Sequence, residues 1–181
     1  MDILVAAVLA AALTIATVTD LKSQRIPNWL TFPLMLGGLA AHAVFTGLEG
    51  LWFSLAGFGL GLGIMLVPFL LGVMGAGDVK LLAGVGAWLG VNTTLTAFVI
   101  TCLAGGVYAL GVMLRDREIF KAVLTNIKAH LVLALCTKDF KYTPVSSQRT
   151  LPRLCYGVAI AIGTVASMVL TYHETGGTFV R

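Results

Sequence analysis

Residues 51–73 read LWFSLAGFGLGLGIMLVPFLLGV, and no charged side chain interrupts them. About 20 apolar residues in a helix are enough to cross the hydrocarbon core of a bilayer. The whole chain has a similar character, because 58% of its 181 residues are hydrophobic and 11% are charged, against about 25% charged in soluble domains. In lipid every backbone N–H and C=O must be bonded within the protein, which favours helices. The sequence therefore predicts an all-α, polytopic membrane helix bundle, folded as a single domain over residues 1–181.

Further apolar stretches flank this run on both sides, at residues 3–19, 29–45, 79–89, 93–114 and 154–172. Lysines and arginines cluster after the first of them, at Lys80, and again from Arg115 onward. Because basic residues next to spans remain cytoplasmic, two crossings or a re-entrant loop must separate Lys80 from Arg115. We therefore expect about six transmembrane helices in an inner (plasma) membrane, with a turn at residues 90–92 on the outer face and both termini outside the cytoplasm.

The longest polar stretch covers about residues 115–153. Apolar residues recur at helical spacing between 119 and 127, and Lys121, Thr125 and Lys128 lie on the opposite side. This pattern is typical of an amphipathic helix on the membrane surface, and it fits equally a helix packed on the cytoplasmic end of the bundle. We predict a cytoplasmic loop here that contains an amphipathic segment.

The arrangement of basic residues, cysteines and histidines disfavours nucleic-acid binding and metal binding. The net charge of +4 is explained by membrane orientation, because the basic residues are not clustered with aromatic ones on a soluble module, as nucleic-acid binding requires. The cysteines are odd in number and lack a C-x-x-C pair, and the histidines are scattered. We therefore expect no metal, no cofactor and no nucleic-acid partner. The sequence carries no signal for the oligomeric state.

Acidic side chains at or inside a membrane are costly, so each is a candidate for function. Six of the eight lie in predicted loops, at outer ends or beside basic residues: Asp2, Glu49, Asp116, Glu118, Asp139 and Glu174. The other two, Asp20 and Asp78, lie at the cytoplasmic ends of different predicted spans. Two facing carboxylates share a proton, so that the ionised one can activate water while the protonated one donates to a carbonyl. We predict Asp20 and Asp78 as a catalytic pair, without assigning which is the base.

Four neighbours of this pair are candidates for substrate binding or support of the site: Gly75, Gly77, Lys22 and Lys80. Glycine lets a substrate backbone approach a carboxylate, but small residues also let helices pack closely. The lysines could tune the carboxylates or contact a substrate, or they could anchor the chain at the membrane interface. Both interpretations remain open for the glycines and for the lysines.

The sequence around both aspartates resembles a known family. Gly75-Ala76-Gly77-Asp78 matches the G-x-G-D signature of intramembrane-type aspartic peptidases, and GAGDVKLLAGVGAWLG at 75–90 is similar to the second active-site motif of the type IV prepilin (leader) peptidases. DLKSQRIPNWLT, at 20–31, resembles their first motif. Residues 151–160 resemble their Pro-Tyr-Gly-x-Ala region, with Cys155 where that region has proline. The resemblance extends from the first predicted span to the last.

This resemblance implies a membrane aspartic endopeptidase that removes a short basic leader from type IV prepilin or pseudopilin precursors. The cut falls at the cytoplasmic membrane surface, usually just after a glycine, and serves pilus or secretion assembly. Precursor peptides and membrane lipids are then the expected partners. Longer members add a cytoplasmic domain with cysteine pairs and methylate the new N-terminus. The present sequence is similar to the short, peptidase-only branch associated with tight-adherence (Flp) pili, so N-methyltransferase activity is not expected.

Two other classes of function are alternatives. A proton- or cation-coupled transporter could use Asp20 and Asp78 as an ion site, although transporters usually show internal repeats and charges at the midplane. A non-catalytic subunit of a pilus or secretion assembly would tolerate the loss of either aspartate. A zinc peptidase is disfavoured because the sequence has no H-E-x-x-H motif.

Overall fold

The computed structural model describes residues 1–72, 74–115 and 155–176. These ranges contain four α-helices and no strand: α1, Asp2–Ser23; α2, Asn28–Leu70; α3, Ala76–Arg115; and α4, Tyr156–Thr175. The amphipathic segment predicted within residues 115–153 lies outside the described residues.

The chain divides into two compact units. One consists of residues 1–105 and 155–181, and it holds the two aspartates and most of the described helices. The other consists of residues 106–154, of which the end of α3 is described. The single domain expected over residues 1–181 stays a prediction.

All four helices are long and apolar enough to cross a membrane. Large apolar side chains cover much of their exposed surface, as is expected where lipid is the solvent; examples are Leu36, Val44, Trp52, Val107 and Ile162. The predicted all-α class, with helices long and apolar enough to cross a membrane, is confirmed. The number of crossings stays a prediction.

Helix α2 has 43 residues and would measure about 65 Å if straight, roughly twice the hydrocarbon core of a bilayer. It is broken at Gly47, where φ is 66° and ψ is −144°, a backbone conformation open essentially to glycine. The chain folds back there. Leu34, before the break, packs on Gly84, and Gly61, after the break, packs on Leu82. The break falls in the predicted gap between two apolar stretches.

Helix α3 has a similar break at Gly90, where φ is 73° and ψ is −173°, in the turn predicted at residues 90–92. Before the break α3 packs on α2: Gly86 and Gly57 approach so closely that a Cβ on either would overlap the carbonyl of the other. After the break it packs on α4, where Gly163 lies against Thr101. Each of the two long helices therefore contributes two helical segments that are joined at a glycine.

Polar side chains bind backbone carbonyls around the break in α3. Ser54 Oγ donates to the carbonyl of Ala87 at 2.6 Å. His42 Nε2 donates to the carbonyl of Trp88 at 3.1 Å. Both carbonyls lie in the last turn before the break, where helix carbonyls lack regular partners. Since an unpaired carbonyl is costly in a membrane protein, these bonds stabilise the break and hold α2 against α3.

The core of the bundle surrounds the first segment of α3. Every residue from 81 to 90 is buried, which is typical of a helix enclosed by protein on all sides. Helix α1 packs along α4, and apolar side chains from both join this core, among them Val5, Leu9, Leu13, Ile160 and Met168. The segment predicted at 79–89 is short for a lipid-facing span, and its enclosure by protein explains why this length is tolerated.

Candidate active site

Asp20 lies in the last turn of α1, with 6% of its surface exposed. One of its carboxylate oxygens, Oδ2, accepts a hydrogen bond from the backbone N–H of Gly157 at 2.9 Å. Gly157 is the second residue of α4, so the carboxylate sits at a helix N-terminus, where the backbone N–H groups and the helix dipole stabilise an anion. No acidic residue occupies the first turn of α4 itself. Asp20, which is distant in sequence, supplies the carboxylate at this helix N-terminus instead.

Asp78 lies in the first turn of α3, with 9% of its surface exposed. Its Oδ2 accepts a hydrogen bond from the backbone N–H of Gly75 at 3.1 Å. An acidic side chain that reaches back over three residues to an N–H just before its own helix forms half of a capping box. The local sequence Gly-x-Gly-Asp therefore fixes this carboxylate at the start of the buried helical segment.

The two aspartates lie at the same end of the bundle. The charge of Asp20 acts on Asp78, and the thiol of Cys155 lies near both. Burial raises the pKa of the Cys155 thiol above its ordinary value, and the carboxylates of Asp20 and Asp78 raise it further. Cys155 Sγ also approaches the backbone carbonyl of Asp20 at 3.9 Å. The site thus joins the end of α1 to the starts of α3 and α4.

Glycines leave almost no free space around the pair. A Cβ at Gly157 would lie 2.9 Å from Asp20 Oδ2. A Cβ at Gly77 would lie 3.0 Å from the Cβ of Ile26 and 3.3 Å from its backbone N and O. All these distances are below ordinary van der Waals contact, so the two glycines are needed for close packing. Gly75 is more open, because a Cβ there would meet the Asp78 carboxylate at 3.3 Å.

The two lysines proposed from the sequence lie apart from the carboxylates. Lys80 Nζ donates to Asn28 Oδ1 at 2.9 Å and lies 4.9 Å from the ring centre of Phe32, so it ties the start of α3 to the start of α2. Lys22 is exposed. Neither lysine forms an ion pair with Asp20 or Asp78 within the described residues.

The sequence did not single out the N–H of Gly157 or the thiol of Cys155 as partners of Asp20. The resemblance of residues 151–160 to a family region pointed to the segment without giving its role. A backbone donor leaves no side-chain signal in a sequence, and 137 positions separate Gly157 from Asp20. Among the described residues, no group of three or more His, Cys, Asp or Glu side chains is placed to hold a metal ion.

An all-helical membrane bundle with two buried carboxylates at one end is the class of protein that this fold and site define. The model of the type IV leader peptidase family matches residues 7–110, which is more than half of the chain and includes both aspartates. The chain therefore belongs to the type IV leader peptidase family.

Individual relatives agree with this family. The chain is 36% identical over 110 residues to the prepilin leader peptidase/N-methyltransferase of Escherichia coli (strain K12), a match that covers 56% of this chain and 48% of the relative. It is 31% identical over 119 residues to the protein of the same description from Bacillus subtilis (strain 168), covering 65% and 48%. It is 31% identical over 107 residues to the leader peptidase HopD of Salmonella typhimurium, covering 55% and 68%. The chain thus spans about half the length of the first two relatives. No solved structure matches it.

Proposed function

We propose that this protein is a membrane aspartic endopeptidase that removes the short basic leader from type IV prepilin or pseudopilin precursors. The proposal rests on Asp20 and Asp78 lying at the same end of the bundle, near enough for their charges to interact. Each is nearly buried and is bound through one oxygen to a backbone N–H. Membership of the type IV leader peptidase family supports the substrate class. Only the peptidase step is proposed, although the printed names of several relatives add an N-methyltransferase.

In this proposal one aspartate is ionised and the other is protonated. The ionised carboxylate takes a proton from a water molecule, whose oxygen attacks the scissile carbonyl carbon. The protonated carboxyl donates its proton to the carbonyl oxygen, which gives a tetrahedral diol. The first carboxyl then returns its proton to the leaving nitrogen as the C–N bond breaks. The second carboxylate takes back a proton from a hydroxyl of the diol, which becomes the new carboxyl group. Two adjacent carboxylates suit this exchange because they resist ionising together.

Gly157 and Gly75 hold one oxygen of each carboxylate in this mechanism and leave the second oxygen for water or substrate. The packing at Gly77 keeps the loop that contains Ile26 close to Asp78. Lys22 and Lys80 act as anchors at the membrane interface. Lys80 also ties the start of α3 to the start of α2, because it binds Asn28. We expect the substrate backbone to approach beside Gly75, which is exposed next to Asp78.

The proposed orientation has six crossings and places the aspartates at the cytoplasmic face of the inner membrane. The folding back of α2 at Gly47 and of α3 at Gly90 supports this number. Lys22, Arg25 and Lys80, at the same end as the aspartates, support the cytoplasmic face, since basic residues beside spans remain there.

The test is cleavage of a tagged type IV prepilin by the purified, detergent-solubilised protein and by its Asp20→Asn and Asp78→Asn variants. Each variant should lose cleavage, because either change removes the proton exchange between the two carboxyls. Glu49→Gln is the matched control, since Glu49 is an exposed carboxylate and should be dispensable.

Normal cleavage by both aspartate variants would overturn the catalytic assignment. If the intact protein cuts none of several prepilins, the transporter and assembly alternatives are favoured. Measuring proton flux into liposomes then distinguishes these two alternatives. A transporter should lose flux in the same two variants, whereas an assembly subunit should show none.

A further inference from the structure

A polar cavity of about 500 Å³ lies at the end of the bundle opposite to the aspartates. It is bounded by the residues that follow the break in α3 and by the last turns of α4. Thr171, in its wall, is 14 residues beyond Gly157 in an unbroken helix, which corresponds to about 21 Å. The exposed residues Asn92 and Glu174 lie at its rim, so the cavity opens to the surface.

Six polar side chains line the cavity: Asn92, Thr93, Thr96, Thr171, Glu174 and Thr175. The hydroxyl of Thr96 donates to the carbonyl of Asn92 at 3.2 Å. A hydroxyl that already donates can offer only acceptor capacity to a ligand. The wall therefore presents oxygen acceptors.

The lining also favours a positive charge. Glu174 supplies a carboxylate, and none of the described residues that line the cavity is basic. Phe53 forms another part of the wall, and the face of an aromatic ring attracts an ammonium group. A divalent metal ion fits less well, because such ions take several carboxylate or carbonyl ligands and the described residues of the lining include one carboxylate.

Thr93 adds a donor to this set. It is 5% exposed, and its contact with a described polar atom is Thr171 Oγ1 at 3.5 Å, beyond the usual 2.5–3.0 Å range for hydroxyl pairs. Buried hydroxyls are normally well bonded, so a better acceptor is expected inside the cavity. The amide of exposed Asn92 offers further donors. A ligand must therefore combine a cation with an oxygen acceptor.

We propose that this cavity binds an aminoalkyl phosphate group, with its ammonium at Glu174 and Phe53 and its phosphate oxygens at Thr93 and Asn92. This group occurs as the headgroup of phosphatidylethanolamine and as free phosphoethanolamine. The proposal is independent of the peptidase function, because it uses none of the residues around Asp20 and Asp78.

The test is native mass spectrometry of the full chain released from detergent micelles with equal amounts of phosphatidylethanolamine and phosphatidylcholine of the same acyl chains. We expect preferential retention of phosphatidylethanolamine, because three methyl groups on the amine remove its hydrogen-bond donors. Glu174→Gln should weaken that retention about tenfold, the order expected for a hydrogen bond between charged groups. Glu49→Gln, which changes an exposed carboxylate outside the cavity, should leave retention unchanged.

Equal retention of the two lipids, or unchanged retention by Glu174→Gln, would overturn the proposal and leave a water-filled cavity. A competition arm adds soluble phosphoethanolamine to the lipid-bound protein. Displacement of the lipid would show that the aminoalkyl phosphate group alone is sufficient for binding. Lipid that stays bound would identify the membrane lipid as the ligand. Cleavage of prepilin by Glu174→Gln should equal that of the intact protein.

Discussion

Backbone N–H groups, rather than basic side chains, hold the two candidate catalytic residues. Asp20 accepts from Gly157 and Asp78 accepts from Gly75, and within the described residues no ion pair reaches either carboxylate. An arginine or lysine at this distance would neutralise the pair and favour full ionisation. Backbone dipoles orient the carboxylates without adding a full charge, so this arrangement is compatible with the proton sharing proposed above.

The glycine at position 157 gives a prediction for this arrangement. In Gly157→Ala the new methyl would lie 2.9 Å from Oδ2 and 3.2 Å from Cβ and Cγ of Asp20, so the carboxylate must move. Small displacements of a catalytic group can cost roughly 100-fold in rate, and we expect a loss of that order in the turnover of a tagged prepilin.

The matched controls are Gly59→Ala and Gly63→Ala, two helical glycines with open space around them. Both should cleave at the normal rate. A Gly157→Ala protein that folds and cleaves normally would show that the contact with Asp20 does not set the geometry of the site.

The thiol of Cys155 is an internal reporter of the charge on the pair. Its pKa is raised by burial, then by Asp20 and by Asp78. Removing either charge lowers that pKa, so the thiolate forms at lower pH and alkylation at a given pH is faster. The measurement is the rate of iodoacetamide alkylation against pH in a background with Cys102→Ala and Cys136→Ala.

Asp20→Asn and Asp78→Asn should each shift this alkylation profile to lower pH, whereas Glu49→Gln should not move it. An unchanged profile in both aspartate variants would mean that the carboxylates are uncharged in the free protein or lie farther from the thiol than the structure has them. Because this readout needs no substrate, it tests the site separately from its activity.

At the scale of the helix, two glycines decide the path of the chain. Gly47 and Gly90 break α2 and α3 in a region of φ and ψ that other residues rarely occupy. Without these breaks each helix would be too long for a bilayer. Because the breaks also leave helix carbonyls without regular partners, Ser54 and His42 supply donors from α2 at the second one.

The two breaks differ in their surroundings, which gives a prediction. Both Gly47→Ala and Gly90→Ala incur backbone strain of about 1–3 kcal/mol. At Gly90 the new methyl would also overlap the ring of Phe53, whereas the space at Gly47 is open. Gly90→Ala should therefore lower the Tm of the detergent-solubilised protein more than Gly47→Ala does.

Phe53→Leu combined with Gly90→Ala tests the cause of this difference. The double variant should recover part of the lost Tm, because the smaller side chain makes room for the methyl group. Equal Tm values for Gly47→Ala and Gly90→Ala, with no recovery in the double variant, would rule out the contact with Phe53 as the cause.

At the scale of the whole molecule, the segment of α3 that follows the candidate catalytic residue Asp78 is enclosed by protein. Asp78 lies three residues before a run, 81–90, that is buried throughout, and the other helices pack around this run. The carboxylate is thus attached to a fully buried part of the bundle. A site attached to a rigid, buried element keeps its geometry even where the surrounding helices face lipid.

The proposed six crossings can be tested by labelling single cysteines in a background without Cys102, Cys136 and Cys155. Leu48→Cys and Asn92→Cys, next to the two breaks, should react with a membrane-impermeant maleimide added to intact cells. Gln24→Cys, at the end of α1, should react only after the membrane is opened. All three positions are exposed in the structure.

Labelling of Asn92→Cys only in opened membranes would mean that the segment before Gly90 is re-entrant or that the orientation is reversed. The behaviour of Leu48→Cys separates these two cases. A reversed protein would also protect Leu48→Cys in intact cells, whereas a re-entrant segment would leave it reactive.

Much of this architecture could be predicted from the sequence. Charge-free runs such as residues 51–73 determine that lipid is the solvent, and the absence of water there leaves helices as the way to satisfy the backbone. Asp20 and Asp78 were singled out by their position at span ends, because an ionised group at a membrane is costly and is therefore a candidate for function. These inferences depend on local composition, which a sequence displays directly.

The tertiary structure alone decided how the site is held and which neighbours take part. The pattern of charges left Lys80 open as a partner of the aspartates, but the fold directs its amine to Asn28. Gly157 had no side-chain signal, yet its N–H binds Asp20 across 137 positions. Composition determines the solvent and the helices, whereas a bond between distant backbone and side-chain atoms depends on how those helices pack.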